Sequence, residues 1–384
     1  MRFEFATANR IIFGPGTLKE VGPLAEAMGK RALVVTGRTA ARAKPLLDVL
    51  DACGVEAVTF TVPGEPSTDT VREGMERARE MGCTFVIGMG GGSVVDAAKA
   101  VAALLTNGGV PLDYVEVIGR GQKITRPAAP YIAIPTTAGT GAEVTKNAVL
   151  LSPEHHVKVS LRSPLLLPQV ALVDPELTLS MPPEITTSTG LDALTQVVEP
   201  YVSHFANPLT DALCREGIMR AAQALRQAYA HGDDAEARED MALVSLFGGL
   251  ALANARLGAV HGFAGVLGGM FDAPHGAICG RLLPFVMNAN VRALRAREPE
   301  NPALERYLDI AVLLAGEWDA DARDGAVWVQ TLCEDLRVPG LSAYGVAESD
   351  FPLILEKASR SSSMRGNPIQ LTEVELREIL ARAL

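Results

Sequence analysis

Thr84-Phe85-Val86-Ile87-Gly88-Met89-Gly90-Gly91-Gly92-Ser93-Val94-Val95-Asp96-Ala97-Ala98-Lys99 contains, in one stretch, the elements that decide the fold. A near-continuous apolar run is the pattern of a parallel strand covered on both faces. It enters three consecutive glycines and then a helical run rich in alanine and valine. Without Cβ atoms the glycines let the backbone approach an anion closely. The helix starting near Ser93 aims its free N–H groups and the positive end of its dipole at the same point. Gly90, Gly91, Gly92 and Ser93 thus read physically as a pyrophosphate cradle, although the G-x-G-x-x-G dinucleotide fingerprint occurs nowhere in the chain.

Similar strand-like runs occur at Arg10 to Phe13, Ala32 to Thr36, Glu56 to Thr61, Tyr131 to Ile134 and Val170 to Val173. Helical patterns at Thr17 to Met28, Ala40 to Cys53 and Thr68 to Met81 lie between several of them. Alternation of this kind predicts a doubly wound α/β domain. After about Asp174 the strand runs stop and long Ala/Leu-rich helical patterns take over, with Ser180-Met181-Pro182-Pro183-Glu184 as punctuation. The expected organisation is an α/β domain over 1–180 and an all-helical domain over 181–384.

Composition narrows the function classes. The 384 residues are 48% apolar and carry a formal net charge of −10, with a mean hydropathy of +0.18. These values suit a compact globular chain with a large core. Dispersed acidity argues against nucleic acid or an anionic membrane as main partner. No apolar run approaches the roughly 20 residues needed to span a bilayer. The N-terminus places acidic and aromatic residues where a signal sequence would be apolar. Cys53, Cys83, Cys214, Cys279 and Cys333 show no pairing pattern. A reduced, cytoplasmic setting is expected.

Four further strings carry chemistry. Ala133-Ile134-Pro135-Thr136-Thr137-Ala138-Gly139-Thr140-Gly141-Ala142-Glu143-Val144-Thr145 offers hydroxyl donors, and Thr140 and Glu143 have capping-box spacing. Thr189-Gly190-Leu191-Asp192-Ala193-Leu194-Thr195-Gln196 places Asp192 and Gln196 four apart, on one face of a helix that Thr187, Ser188 or Thr189 could cap. Ala259-Val260-His261-Gly262-Phe263-Ala264-Gly265 and Ala273-Pro274-His275-Gly276 supply two histidines. His261 is expected near the end of a Gly/Ala-rich helix from Ser245 to Val260, and His275 in a turn.

These strings, with GGGSxxDxxK at 90–99 and IPTTAGTGAEVT at 134–145, resemble the iron-containing (group III) alcohol dehydrogenase family over most of the chain. The resemblance implies a Rossmann-like nucleotide-binding domain followed by a helical metal and substrate domain. It implies cofactor contacts at Asp96, Thr136, Thr137 and Thr140, with Lys158 near the cofactor ribose. It also implies a divalent metal, iron or zinc, held by Asp192, Gln196, His261 and His275. Family members carry histidine where this chain has Gln196, and often at Gly265. Gln is a neutral ligand that weakens and retunes the site. Gly265 removes the side chain that relatives offer as a proton shuttle. Family members preferring NAD often carry an Asp after the strand that here ends Val35-Thr36-Gly37-Arg38. Gly37 and Arg38, with Arg42 beyond, favour NADP(H) or dual use.

The activity implied is alcohol–carbonyl interconversion by hydride transfer, with a small alcohol or aldehyde as substrate and a homo-oligomeric assembly. In it Asp192, His261 and His275 present the metal that polarises the substrate oxygen. Alternatives are a metal-independent, maleylacetate-type carbonyl reductase, a dehydroquinate synthase-like cyclase, and a nucleotide-binding member without catalysis. A cyclase needs Lys and Arg to grip an anionic substrate. The strings at 187–199 and 258–276 have none, Arg256 being the nearest.

Overall fold

The computed structural model describes residues 2–155 and 157–384, Ala40 by its backbone alone. By internal contacts they form two compact units: Ala6–Thr137 with Gly141–Thr178, and Leu179–Leu384 with Ala138–Thr140 and the segment up to Phe5.

The first unit runs β1 (Arg10–Phe13), α1 (Val21–Met28), β2 (Arg31–Gly37), α2 (Lys44–Ala52), β3 (Glu56–Val62), α3 (Thr68–Glu80), β4 (Phe85–Gly90), α4 (Gly92–Asn107), α5 (Pro111–Tyr114), β5 (Tyr131–Pro135), β6 (Asn147–Ser152), β7 (Val157–Arg162) and β8 (Val170–Val173). Six strands make one sheet in the order β1-β8-β5-β4-β2-β3, and every pairing in it is parallel. Side chains alternate across it as the pleat requires. Leu33, Val35 and Val86 enter one apolar layer with Val95, Ala98 and Val101 of α4. Ala32, Val34, Phe85 and Ile87 enter the other with Ala25 of α1 and Leu46 and Leu50 of α2.

β3 lies on one side of β2 and β4 on the other. The carboxyl ends of β2 and β4 therefore flank the topological switch point, where open α/β sheets bind ligands. Gly37 and Arg38 stand at the end of β2, and Gly90 to Ser93 at the end of β4.

β6 and β7 pair as an antiparallel hairpin, which was not among the expected strands. They lack a continuous apolar run because they are half-buried: Ala148, Leu150, Val159 and Leu161 are buried while Val149 is exposed. α4 holds this hairpin through Lys99, whose side chain is fully buried. Its ammonium donates to Ala142 O at 2.8 Å, Thr145 Oγ1 at 2.9 Å and Asn147 O at 2.7 Å, using all three protons.

The second unit is helical: α6 (Pro183–Val202), α7 (Pro208–Ala230), α8 (Ala235–Ala255), α9 (Ala259–Met270), α10 (His275–Arg297), α11 (Ala303–Ala315), α12 (Asp324–Asp335), α13 (Phe351–Ser359) and α14 (Glu373–Ala383). All share one hydrophobic core. α6 is buried almost all round from Gly190 to Val202. It starts at Pro183, a residue suited to the first helical position, and not at Thr187, Ser188 or Thr189, four to six residues on. Those sit inside the helix, where Thr189 Oγ1 donates back to Ile185 O at 2.8 Å. No single helix among the described residues is long and apolar enough to cross a membrane.

Candidate functional site

Asp192, Gln196 and Glu199 occupy positions i, i+4 and i+7 of α6 and so share one stripe of it. All three are buried, and buried polar side chains need partners. Glu199 finds two: its Oε1 accepts from Val260 N at 2.6 Å, and its Oε2 meets His261 Nδ1 at 2.7 Å. A carboxylate can only accept, so Nδ1 carries a proton towards Glu199. The other ring nitrogen, Nε2, lies 3.3 Å from Asp192 Oδ1.

His261 reaches this position because one helix breaks. The expected run from Ser245 to Val260 is in fact the end of α8, a three-residue interruption, and the start of α9, with a bend of 101°. Arg256 stops α8 with φ at +63°, its guanidinium 4.0 Å above the Phe205 ring. His261 therefore sits in the first turn of α9. The N–H groups exposed there are capped from elsewhere: Ala259 N donates to Asn367 Oδ1 at 3.2 Å, and Val260 N to Glu199.

His275 is the first residue of α10, after Pro274, and not part of a turn. Gly276 presses this helix against α6. A Cβ at Gly276 would stand 1.8 Å from Ser188 O, one helical turn before Asp192. The close approach puts His275 Nε2 4.0 Å from Asp192 Oδ1 and its ring 5.5 Å from that of His261. One turn along α10, Cys279 brings its Sγ to 3.8 Å from His261 Nε2. Ligand atoms of Asp192, His261, His275 and Cys279 all lie within 4.8 Å of one another.

Electrostatics ties the group together. Burial raises the Asp192 carboxyl, but the His261 hydrogen bond and both imidazoles outweigh this and hold it below its ordinary value. Burial opposes charge on His261, yet Cys279, Asp192 and Glu199 lift its pKa well above the usual. Burial likewise raises Cys279, and the two imidazoles pull it down overall. Such a group keeps protons where a cation would replace them. One carboxylate, two imidazole nitrogens and a thiol, with the second nitrogen of His261 already satisfied by Glu199, fit a divalent metal.

Gln196 is held differently. Its Nε2 donates to Gly139 O at 3.0 Å, while its buried Oε1 has no hydrogen-bond partner. Cys279 and Glu199 were not among the residues expected from the sequence. His275 and Cys279 at i, i+4, and Glu199 seven residues after Asp192, were the available signals.

In the α/β unit, α4 starts at Gly92 with Gly91 as its N-cap. A Cβ at Gly90 would meet Val94 at 2.6 Å, so only glycine lets β4 turn into α4. Thr136 N donates to Gly90 O at 3.0 Å, which sets the end of β5 beside the cradle. A Cβ on Gly91 would be 3.5 Å from the Thr137 side chain. Thr140 groups with the helical unit. The short helical turn at Ala142–Val144 has Gly141, in the left-handed conformation, as its N-cap residue. Asp96 Oδ2 accepts from Val149 N at 3.0 Å, and Oδ1 lies 3.6 Å from Lys99 Nζ. Lys158 pairs with Glu65 at 2.6 Å. Arg38 is exposed, its Nε donating to Pro63 O at 3.2 Å.

Comparison with known proteins places nearly the whole chain in one family. Residues 8–175 match the family model described as iron-containing alcohol dehydrogenase, and residues 186–384 match that of the C-terminal part of the same family. The chain is 36% identical over 394 aligned positions to 1,3-propanediol dehydrogenase of Citrobacter freundii, covering 99% of this chain and 98% of that one. It is 33% identical over 389 positions to the NADPH-dependent butanol dehydrogenase of Clostridium saccharobutylicum, covering 98% and 96%. A crystal structure of 1,3-propanediol oxidoreductase superposes with a TM-score of 0.93 at 35% identity, covering both chains fully. The chain belongs to the iron-containing alcohol dehydrogenase family.

Proposed function

We propose that this chain is an NAD(P)-dependent oxidoreductase that interconverts an alcohol and its aldehyde or ketone, with Asp192, His261 and His275 as the core of its metal site and Gln196 beside them on α6. The observation that carries the reading is the convergence of these three side chains from three helices, with His261 Nδ1 already bonded to Glu199. When bound, a divalent metal supplies Lewis acidity to a substrate oxygen, and a nicotinamide supplies the hydride acceptor or donor.

The chain's own residues do the rest. Glu199 fixes the His261 tautomer and its ring orientation. The His275 side chain is 39% exposed while those of Asp192 and His261 are nearly sealed, so a substrate oxygen enters past His275. Gly265 carries no proton-transferring group, and a Cβ there would meet nothing within 4 Å. That space suits a bulkier or polar substrate. Gly90 to Ser93 cradle the cofactor pyrophosphate, with Asp96, Thr136, Thr137, Thr140 and Lys158 as further contacts. At the β2 end of the switch point Gly37 offers no carboxylate to repel a 2′-phosphate. The exposed Arg38 guanidinium suits one, which favours NADP(H). A net charge of −10 supports a small-molecule partner rather than nucleic acid or membrane. A cytoplasmic homo-oligomer completes the reading.

The test is steady-state reduction of short aldehydes, matching the propanediol and butanol relatives, with NADPH and NADH compared alongside elemental analysis. NADPH consumption that depends on bound metal is expected, and His261→Ala abolishes both. Glu199→Gln keeps the fold and weakens metal affinity about 10- to 100-fold. Turnover unaffected by complete metal removal would favour the metal-independent reductase instead.

A further inference from the structure

Gln196 leaves the site one strong donor short of the family's set, and α10 supplies a replacement. We propose that Cys279 is the fourth metal ligand of this chain, in place of the imidazole absent at position 196, and that it makes the site a zinc site.

Geometry carries this inference. A tetrahedral zinc with usual bond lengths needs O···N edges of about 3.4 Å and S···N edges of about 3.6 Å. Asp192 Oδ1 to His261 Nε2 is 3.3 Å, Cys279 Sγ to His261 Nε2 is 3.8 Å, and Asp192 Oδ1 to His275 Nε2 is 4.0 Å. Cys279 is fully buried and shares a face of α10 with His275, one turn away. The helix that presents one ligand therefore presents the other. The four ligand atoms come from three helices of one hydrophobic core, so the cluster is fixed by packing.

Chemistry separates Cys279 from Gln196. A thiolate brings negative charge and a soft donor, which select zinc, whereas an amide oxygen brings neither. The Gln196 amide is anchored through Nε2 to Gly139 O. Its unpartnered Oε1 is left to accept from a hydroxyl, that of a substrate or a water. The neutral donor missing from α6 is thus replaced by an anionic one on α10, and a zinc held so would reach a substrate oxygen by expanding to five-coordination.

This inference rests on the chain's being a metal enzyme, and zinc-edge X-ray absorption of the zinc-loaded full-length protein tests the two separately. Elemental analysis that finds no bound zinc or iron, even after loading, overturns the metal reading itself. Bound zinc with a sulfur scatterer at about 2.3 Å is the expected result. Cys279 is the only thiol in a possible ligand cluster among the described residues. Bound zinc with only nitrogen and oxygen scatterers at about 2.0–2.2 Å overturns the proposal and leaves the metal reading intact. Two variants add a second readout after cobalt substitution. Cys279→Ser loses the sulfur-to-cobalt charge-transfer band, while Gln196→Ala keeps it. With equal amounts of ferrous iron and zinc offered without oxygen, the native chain takes up zinc at least 10-fold in excess. Cys279→Ser narrows that excess, the remaining nitrogen and oxygen donors still ranking zinc above ferrous iron. A native protein that takes iron in preference to zinc speaks against the assignment.

Discussion

At the scale of single residues, Glu143 shows how far burial alone moves a carboxyl group. It is 1% exposed and its Oε1 has no hydrogen-bond partner. Burial raises its pKa from 4.5 to about 7, against the opposing pull of its own backbone N–H and of Lys99. A carboxyl whose pKa is higher in the folded state favours folding below the unfolded value of 4.5. That contribution is lost as pH rises through about 7. Its full size is at most about 3 kcal/mol. Glu143→Gln removes the ionisation, so the variant gains on the native protein as pH rises from 5 to 8. Urea unfolding at both pH values measures this, and parallel stability profiles would show that Glu143 stays ionised in the fold.

Legibility at this scale depended on motif. Asp192, His261 and His275 stood in strings shared with a family. Glu199 closes the Asp192 string at 187–199 and Cys279 stands three residues past the His275 string, but neither is assigned a role by the sequence, and each acquires one only through a partner on another helix. Gln196 was legible as a departure, but its bond to Gly139 was not, since the two are 57 residues apart.

At the scale of elements, the meeting of α6 and α10 decides whether the cluster forms. Gly276 has no room for even a methyl group, because the Cβ would stand 1.8 Å from a backbone oxygen that cannot turn aside. Gly276→Ala should cost about 2–3 kcal/mol by overpacking and push His275 away from Asp192, with loss of metal. Gly265→Ala on α9 is the control. Its Cβ meets open space, and the gain in helix propensity is up to about 1 kcal/mol. Thermal unfolding with metal analysis compares the two, and equal behaviour would mean that α10 does not need this close approach. The inner strands β2, β4, β5 and β8 were legible because a strand covered on both faces has one apolar texture, and the edge strands β1 and β3, only partly buried, through their β-branched and aromatic residues. The β6–β7 hairpin escaped because a half-covered strand mixes textures over six residues. The α8–α9 break escaped for another reason: only one glycine marks it, and a positive φ at Arg256 is not written in the residue type.

At the scale of the whole molecule, the chain builds one core in its helical unit and two around its sheet. Change of texture near Asp174 was enough to foresee two architectures in sequence. It could not show that Ala138–Thr140 belongs by contact with the helices, because membership is a property of packing and not of composition. A metal held by α6, α9 and α10 ties together three helices of one core. At a free concentration of about 100 times its dissociation constant it adds about 3 kcal/mol. For a unit of roughly 200 residues that is about 6–12 °C. Dialysis against a chelator should lower the calorimetric transition of the helical unit by that amount. An unchanged scan would mean that the cluster stands equally well without an ion.

The cap on α9 has a consequence in time. The first free N–H group of the helix that carries His261 is satisfied by the Asn367 side chain, 108 residues further along the chain. A growing polypeptide that has already produced Asp192, His261, His275 and Cys279 still lacks the residue that caps the first turn of His261's helix. If the cluster holds a metal, nascent chains halted before Asn367 are expected to emerge without it, and full-length chains with it.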